Sequence, residues 1–143
     1  MRLSRLIEGS PSAGRDDTVL DAVRIIADHK VGAIAILEDG RIIGIFTERD
    51  VLRRVILAGR DAASTTLGEV MTTPVHTVTK DVPIGEATSL LNRHGIRHLP
   101  LVEGDGKYIG MLVLRHLHDE IMARLERRVN DLTTWLMADS LGG

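Results

Sequence analysis

Residues 16–52 read DDTVLDAVRIIADHKVGAIAILEDGRIIGIFTERDVL, and residues 81–118 read DVPIGEATSLLNRHGIRHLPLVEGDGKYIGMLVLRHLH. The second stretch repeats the first at an offset of 65, which becomes 66 after one inserted residue, Gly104. Nine positions are identical: Asp16/Asp81, Ala22/Ala87, His29/His94, Glu38/Glu103, Asp39/Asp105, Gly40/Gly106, Ile43/Ile109, Gly44/Gly110 and Arg49/Arg115. Between them residue class is kept, as in Val19/Ile84, Asp21/Glu86, Ile25/Leu90, Ile26/Leu91, Val31/Ile96 and Ile36/Leu101. A repeat of this length marks one supersecondary unit used twice.

Each copy opens with a helix. Thr18 with Asp21 three residues on is a capping pattern, and Val19, Ala22, Val23, Ile26 and Ala27 recur at helical spacing. In the second copy Pro83 suits a first helical turn, ahead of Ile84, Ala87, Leu90 and Leu91. Gly32 and Gly95 are the expected left-handed caps. Aliphatic strands follow at Ala33–Leu37 and His98–Val102, then the turn signals Asp39-Gly40 and Asp105-Gly106. Return strands are expected at Ile42–Phe46 and Tyr108–Leu112, and further helices at Glu48–Leu57 and about Val113–Met137. The joining stretch Ala58–Thr73 is rich in small and polar residues, with a short helix at Leu67–Met71. Pro74–Val78 reads as an extended strand entering the second copy, whereas Ser10–Arg15 before the first copy is short and lacks that alternation. The division expected is 1–65 for the first copy with an N-terminal helix, 66–120 for the second and 121–143 for a terminal helix. Each half has about 60 residues and is marginal alone by surface-to-volume scaling, so the two are expected to pack together as an α/β (α+β) unit.

Composition narrows the function. The chain has 143 residues with 18 Lys+Arg against 20 Asp+Glu, too balanced for an electrostatic footprint on nucleic acid. Phe46, Tyr108 and Trp135 are its only aromatics, too few for base-stacking platforms. With no cysteine, thiol nucleophiles, disulfides and thiolate metal sites are excluded. No apolar run approaches 18 residues and the start lacks a signal-peptide stretch, so the expectation is a cytoplasmic protein without a membrane span. The nucleophile elbow, the P-loop and the H-E-x-x-H metalloprotease pattern are all missing, so a hydrolase is not expected. Among the six histidines, His116 and His118 point to different faces of a helix, and His94 and His98 straddle a helix–strand junction. No metal site is expected from them.

Taken together, the duplication, the linker EVMTTPVHTV (69–78), the strand RHLPLV (97–102) and GIFTERD (44–50) resemble a CBS-domain pair, tandem domains of the cystathionine β-synthase type. The resemblance covers about Leu3 to Glu120. It implies two small sheets packed through their faces around a pseudo-twofold axis, in a regulatory adenine-nucleotide sensor that is not a catalyst and often dimerises.

The residues themselves permit two compatible readings of Thr47-x-x-Asp50. It is a capping box at a strand-to-helix junction, and it is also a helix start with an acid placed to grip ribose hydroxyls. By the resemblance, Thr47 reaches the phosphate or ribose side and Asp50 takes the ribose, with Ile45 on the same strand. Pro74, Val75 and His76 then bracket the adenine, while Arg97, His98, Pro100 and Arg115 complete the site on the phosphate side. The plainer reading leaves Arg97 and Arg115 as solvated charges and His98 as a half-buried strand residue. The symmetry-related site looks impaired: Val113 and His116 replace Thr47 and Asp50, Gly32 stands where a basic contact often lies, and an imidazole cannot accept paired hydroxyl bonds as a carboxylate does. AMP is the first ligand expected, with ADP, ATP and NADH open. The rival is a structural or interaction subunit whose site has decayed.

Leu117, Ile121, Leu125, Val129, Leu132 and Leu136 form one stripe along the last helix, opposite Asp119, Glu120, Glu126, Arg127 and Asp131. That stripe either packs back on its own domain or pairs across a homodimer, and the dimer is the expectation favoured.

Overall fold

A computed structural model describes residues 3–7 and 11–142, with the helical backbone alone described at 140–142. A 3-10 turn at Leu3–Arg5 precedes β1 (Ser12–Gly14), α1 (Val19–His29), β2 (Ala33–Glu38) and β3 (Arg41–Thr47). One α-helical turn, α2 (Glu48–Asp50), widens into a π-helical stretch, Val51–Ile56. The linker carries α3 (Leu67–Val70), and the second copy comprises β4 (Val78–Thr79), α4 (Ile84–His94), β5 (His98–Val102), β6 (Tyr108–Val113) and α5 (Leu114–Gly142).

The two copies build the same three-stranded sheet. β1 runs parallel to β2 and β2 antiparallel to β3; β4, β5 and β6 repeat this order. Even the irregularities match. The register shifts between Ile36 and Leu37 in one sheet and between Leu101 and Val102 in the other, positions related by the 65-residue offset. Gly44 pairs with Ile36 and Gly110 with Leu101, a glycine across each bulge.

Alternation along the central strand divides its burial between two layers. Ile34 and Ile36 of β2 enter a core with Val19, Ala22 and Ile26 of α1 and Phe46 of β3. On the other face Ala33 and Ala35 meet Ile45 and Met111, the layer through which the halves pack. Leu99, Leu101 and Leu112 form the matching core of the second copy with Ala87 and Leu91. The hairpin turns also touch: the Tyr108 N–H donates to the Gly40 carbonyl (3.0 Å) and Arg41 Nε to the Asp105 carbonyl (3.0 Å).

The segments that lead into the copies cross over. Leu67 and Val70 of α3, on the way into the second copy, are buried in the first core. Leu3, ahead of the first copy, is fully buried in the second core, with Leu6 and Ile7 packed against it. The N-terminal turn expected with residues 1–65 therefore plugs the opposite half. Backbone bonds tie α3 down, from Leu67 N–H to the Asp17 carbonyl and from Gly68 N–H to the Arg15 carbonyl, both 2.8 Å.

Several local expectations change. The stretch expected to lack strand character pairs as β1, while Pro74–Val78 enters a sheet only at Val78–Thr79. Short alternation failed as a guide because β1 is held by parallel pairing to Ala35, Ile36 and Leu37 rather than by its own side chains. Ser10 itself lies outside the described residues. The left-handed cap of α1 is Lys30 (φ 53°), not Gly32, while Gly95 (φ 63°) caps α4 as expected. The helix expected over Glu48–Leu57 is α-helical only to Asp50, after which the Leu57 N–H donates five residues back to the Leu52 carbonyl (2.9 Å). α5 runs past the expected end at Met137, and its stripe divides: Leu117 is fully buried in the second core, while Leu125, Val129, Leu132 and Leu136 are exposed.

Candidate functional site

The linker motif is what shapes the site. Val70 is buried in the first core, and Met71 lies across Gly44 of β3. A Cβ on Gly44 would stand 2.8 Å from Met71 Cγ, so only glycine lets the linker come this close. Thr72 then pairs with Ile45 like a short added strand, with bonds of 3.0 Å from Ile45 N–H to the Thr72 carbonyl and 2.8 Å in return. The Thr73–Pro74 peptide is cis.

This brings Thr72 to Asp50. Its hydroxyl donates to Asp50 Oδ1 at 3.0 Å. Asp50 Oδ2 accepts the Thr47 N–H (3.0 Å), and the Asp50 N–H donates to Thr47 Oγ1 (3.1 Å), a complete capping box. Arg54 Nε stands 3.5 Å from Oδ1, and Arg54 Nη1 donates to the Met71 carbonyl (3.1 Å). A buried carboxylate needs such partners, because leaving one without them costs several kcal/mol.

Beside this cluster lies a cavity of about 580 Å³, inside the roughly 300–1,000 Å³ range of small-molecule sites. Both copies contribute walls. Of the residues anticipated, it gathers Ile45, Thr47, Asp50, Pro74, Val75, His76, Arg97 and His98. Two fall elsewhere. Arg115 lines a neighbouring cavity of about 1100 Å³ between α1, the start of α2 and the start of α5. Pro100 is buried in β5 opposite Met111, and lines neither cavity. Pro100 shares the face of His98, which meets the other sheet, but sits two residues further along β5 and so beyond the cavity.

Sequence reasoning passed over Arg49, Arg53 and Thr72, which also line the cavity. The signal was available for the arginines: they are spaced four apart just after Thr47, and so share a helix face. With Arg97 they make three arginines that line one cavity together with the acids Glu48 and Asp50. His76 is fixed by stacking on His94, ring centroids 4.0 Å apart and 20° between planes, which gives the cavity one flat conjugated wall.

His98 does not add a charge. Burial, and secondly the neighbouring Arg97 guanidinium, push its imidazole down to about 4, so the ring is neutral at pH 7 and offers one donor and one acceptor. Its place explains Gly32. A Cβ on Gly32 would lie 2.9 Å from His98 Nε2, so this ring fills the space where a basic side chain was sought for the symmetry-related site. Among the described residues no three His, Cys, Asp or Glu side chains converge to hold a metal ion. No helix among them is long and apolar enough to cross a membrane.

The CBS domain profile matches the chain twice, over residues 7–57 and 67–123. The chain belongs to the CBS-domain family. It is 39% identical over 122 residues to the mitochondrial CBS domain-containing protein CBSX3 of Arabidopsis thaliana, covering 77% of this chain and 59% of that protein. It thus spans about three-fifths of the length of this curated relative. A protein with CBS domains from Burkholderia ambifaria superimposes with a TM-score of 0.77 at 30% identity, over 86% of this chain and 95% of the other. The CBS domain pair of protein MJ0100, solved in complex with 5'-methylthioadenosine and S-adenosyl-L-methionine, shares the fold (TM-score 0.76, 17% identity, 87% and 98% covered). Tandem CBS domains are regulatory ligand-binding modules, and this chain has their mixed α/β architecture.

Proposed function

We propose that this CBS pair is a non-catalytic, cytoplasmic sensor that binds an adenine nucleotide, AMP first, in the 580 Å³ cavity between its halves. The observation that carries the reading is the division of chemistry across that cavity. Asp50 and Thr47 stand on one wall as acceptors for ribose hydroxyls, Arg97 stands on the wall from the other copy, and Arg49 and Arg53 add charge for a phosphate. Val75, Ile45 and Ile96 with the His76 ring supply the apolar and flat surface an adenine needs. A ligand touching both halves favours one angle between them, and a partner that reads the angle receives the signal. A second copy of the chain is the partner expected.

A thermal-shift panel of AMP, ADP, ATP, NAD, NADH and S-adenosylmethionine tests this. AMP is expected to raise Tm, Arg97→Ala to reduce the shift and Asp50→Ala to remove it. The absence of any shift at millimolar concentration overturns the sensor. One observation favours a second reading, an interaction subunit with a decayed site: the Asp50 carboxylate is already engaged by Thr47, Thr72 and Arg54. Under that reading Asp50→Ala lowers the basal Tm, while no adenine compound shifts the Tm of the unmodified chain.

A further inference from the structure

The terminal part of α5 departs from the body with its apolar side open. Met122, Leu125, Val129, Leu132 and Leu136 are 49–61% exposed. Their spacing is three, four, three, four, which places Met122, Val129 and Leu136 at the a positions of a heptad and Leu125 and Leu132 at d. The same helix is anchored in the body by its first turn, where Leu117 is fully buried and Leu114 packs in the same core. The outer face is closed on itself. Glu120 Oε1 pairs with Arg124 Nε at 3.2 Å and Arg127 Nη2 at 3.5 Å, groups that fall at the f, c and f positions away from the seam.

We infer that these five residues are the seam of a parallel, in-register two-stranded coiled coil with α5 of a second copy. Three features select this occupant. Five successive exposed a and d residues, with Trp135 exposed beside them at g, fit another helix of the same period, since each knob needs a hole of four residues at 3.5-residue spacing. Val129 at the central a position with Leu125 and Leu132 at d is the combination that, among parallel coils, favours two strands over three or four. The flanks permit self-pairing: Glu126 at e and Arg128 at g are the only charges there between 121 and 136, and in register each meets an uncharged residue of the other strand, Ile121 and Thr133 respectively. The seam stops at the next d position, Asp139.

This deepens the homodimer expected above by fixing its geometry. Because the chain has no cysteine, single introduced cysteines report it cleanly. A disulfide needs Cα atoms about 4.4–6.8 Å apart, which a parallel seam provides at every a and d layer. Leu125→Cys, Val129→Cys and Leu132→Cys, each alone, are expected to form covalent dimers under mild oxidation, and Arg127→Cys on the outer face is not. An antiparallel pair brings a residue to its own copy only at the dyad, so cross-linking at one site or none, or equally at Arg127, overturns the inference. Light scattering on the unmodified chain separates it from the homodimer itself. A dimeric mass without seam cross-links removes the coiled coil and keeps the dimer, while a monomeric mass removes both. The double variant Leu125→Glu/Leu132→Glu, at exposed positions that leave the body intact, is expected to weaken dimerisation at least tenfold.

Discussion

The junction at Thr47–Asp50 and the junction at Val113–His116 occupy the same place in two copies of one fold, and they are built on the same backbone device. The first N–H of each helix is held by a carbonyl from the loop before the central strand: Glu48 N–H by Gly32 (3.1 Å) and Leu114 N–H by Arg97 (2.9 Å). Gly32 and Arg97 are equivalent positions, as are Glu48 and Leu114. The main chain therefore starts both helices. Side-chain capping is an addition made in the first copy alone, where Thr47, Asp50, Thr72 and Arg54 form one cluster against a cavity. The second copy carries Val113 and His116 instead, and its helix runs on for 29 residues. What a fold does not require at one junction but builds at the other is a fair place to look for function.

Acid should separate the copies most. His98 stands where the first copy has Ala33. With the folded imidazole lowered to about 4 from 6.5, the unfolded chain binds the extra proton between those values. Stability is then fully present above about pH 6.5, is lost as pH falls toward about 4, and levels off below. The loss amounts to at most about 3 kcal/mol, measured by urea unfolding across that range. His98→Gln should flatten that part of the profile, and an unchanged slope would assign it to other groups.

The next effect is Asp50→Ala, expected to cost about 2 kcal/mol in unfolding free energy through the lost cap and the orphaned Thr72 and Arg54 groups. His116→Ala should stay within about 0.5 kcal/mol. Equal losses would break the contrast between the junctions. Smaller again is the exchange of the capping position. Thr47→Val is expected to cost about 1 kcal/mol, while Val113→Thr gains less because His116 brings no carboxylate to complete the capping box as Asp50 does. A gain above about 1 kcal/mol in Val113→Thr would show that the cap does not need the carboxylate.

The repeat was legible because each copy keeps its class of residue at each step, down to the glycines opposite the two bulges. The walls of the cavity were legible where a motif names the contact, as at Thr47, Asp50 and Pro74–His76. Arg115 and Pro100, which the resemblance put on the phosphate side, lie outside this cavity for a physical reason: Pro100 stands two residues beyond His98 along the same strand face, and Arg115 lines the neighbouring cavity at the start of α5. The neutral state of His98 depends on burial from several elements, which no local window contains. The crossing of Leu3 and of Leu67–Val70 into opposite cores was likewise beyond a reading that assigns each segment to its nearest repeat.

That crossing orders events during synthesis. The first copy is complete as a repeat by residue 57, yet its core lacks Leu67 and Val70 until the linker has followed. Leu3, made earliest, finds its place only after Leu99, Leu112 and Leu117 have emerged, so one of the longest contacts in the chain forms last. Until then a greasy N-terminal hook waits beside a half-built protein, with the neighbouring ribosome's chain as the nearest wrong place to put it.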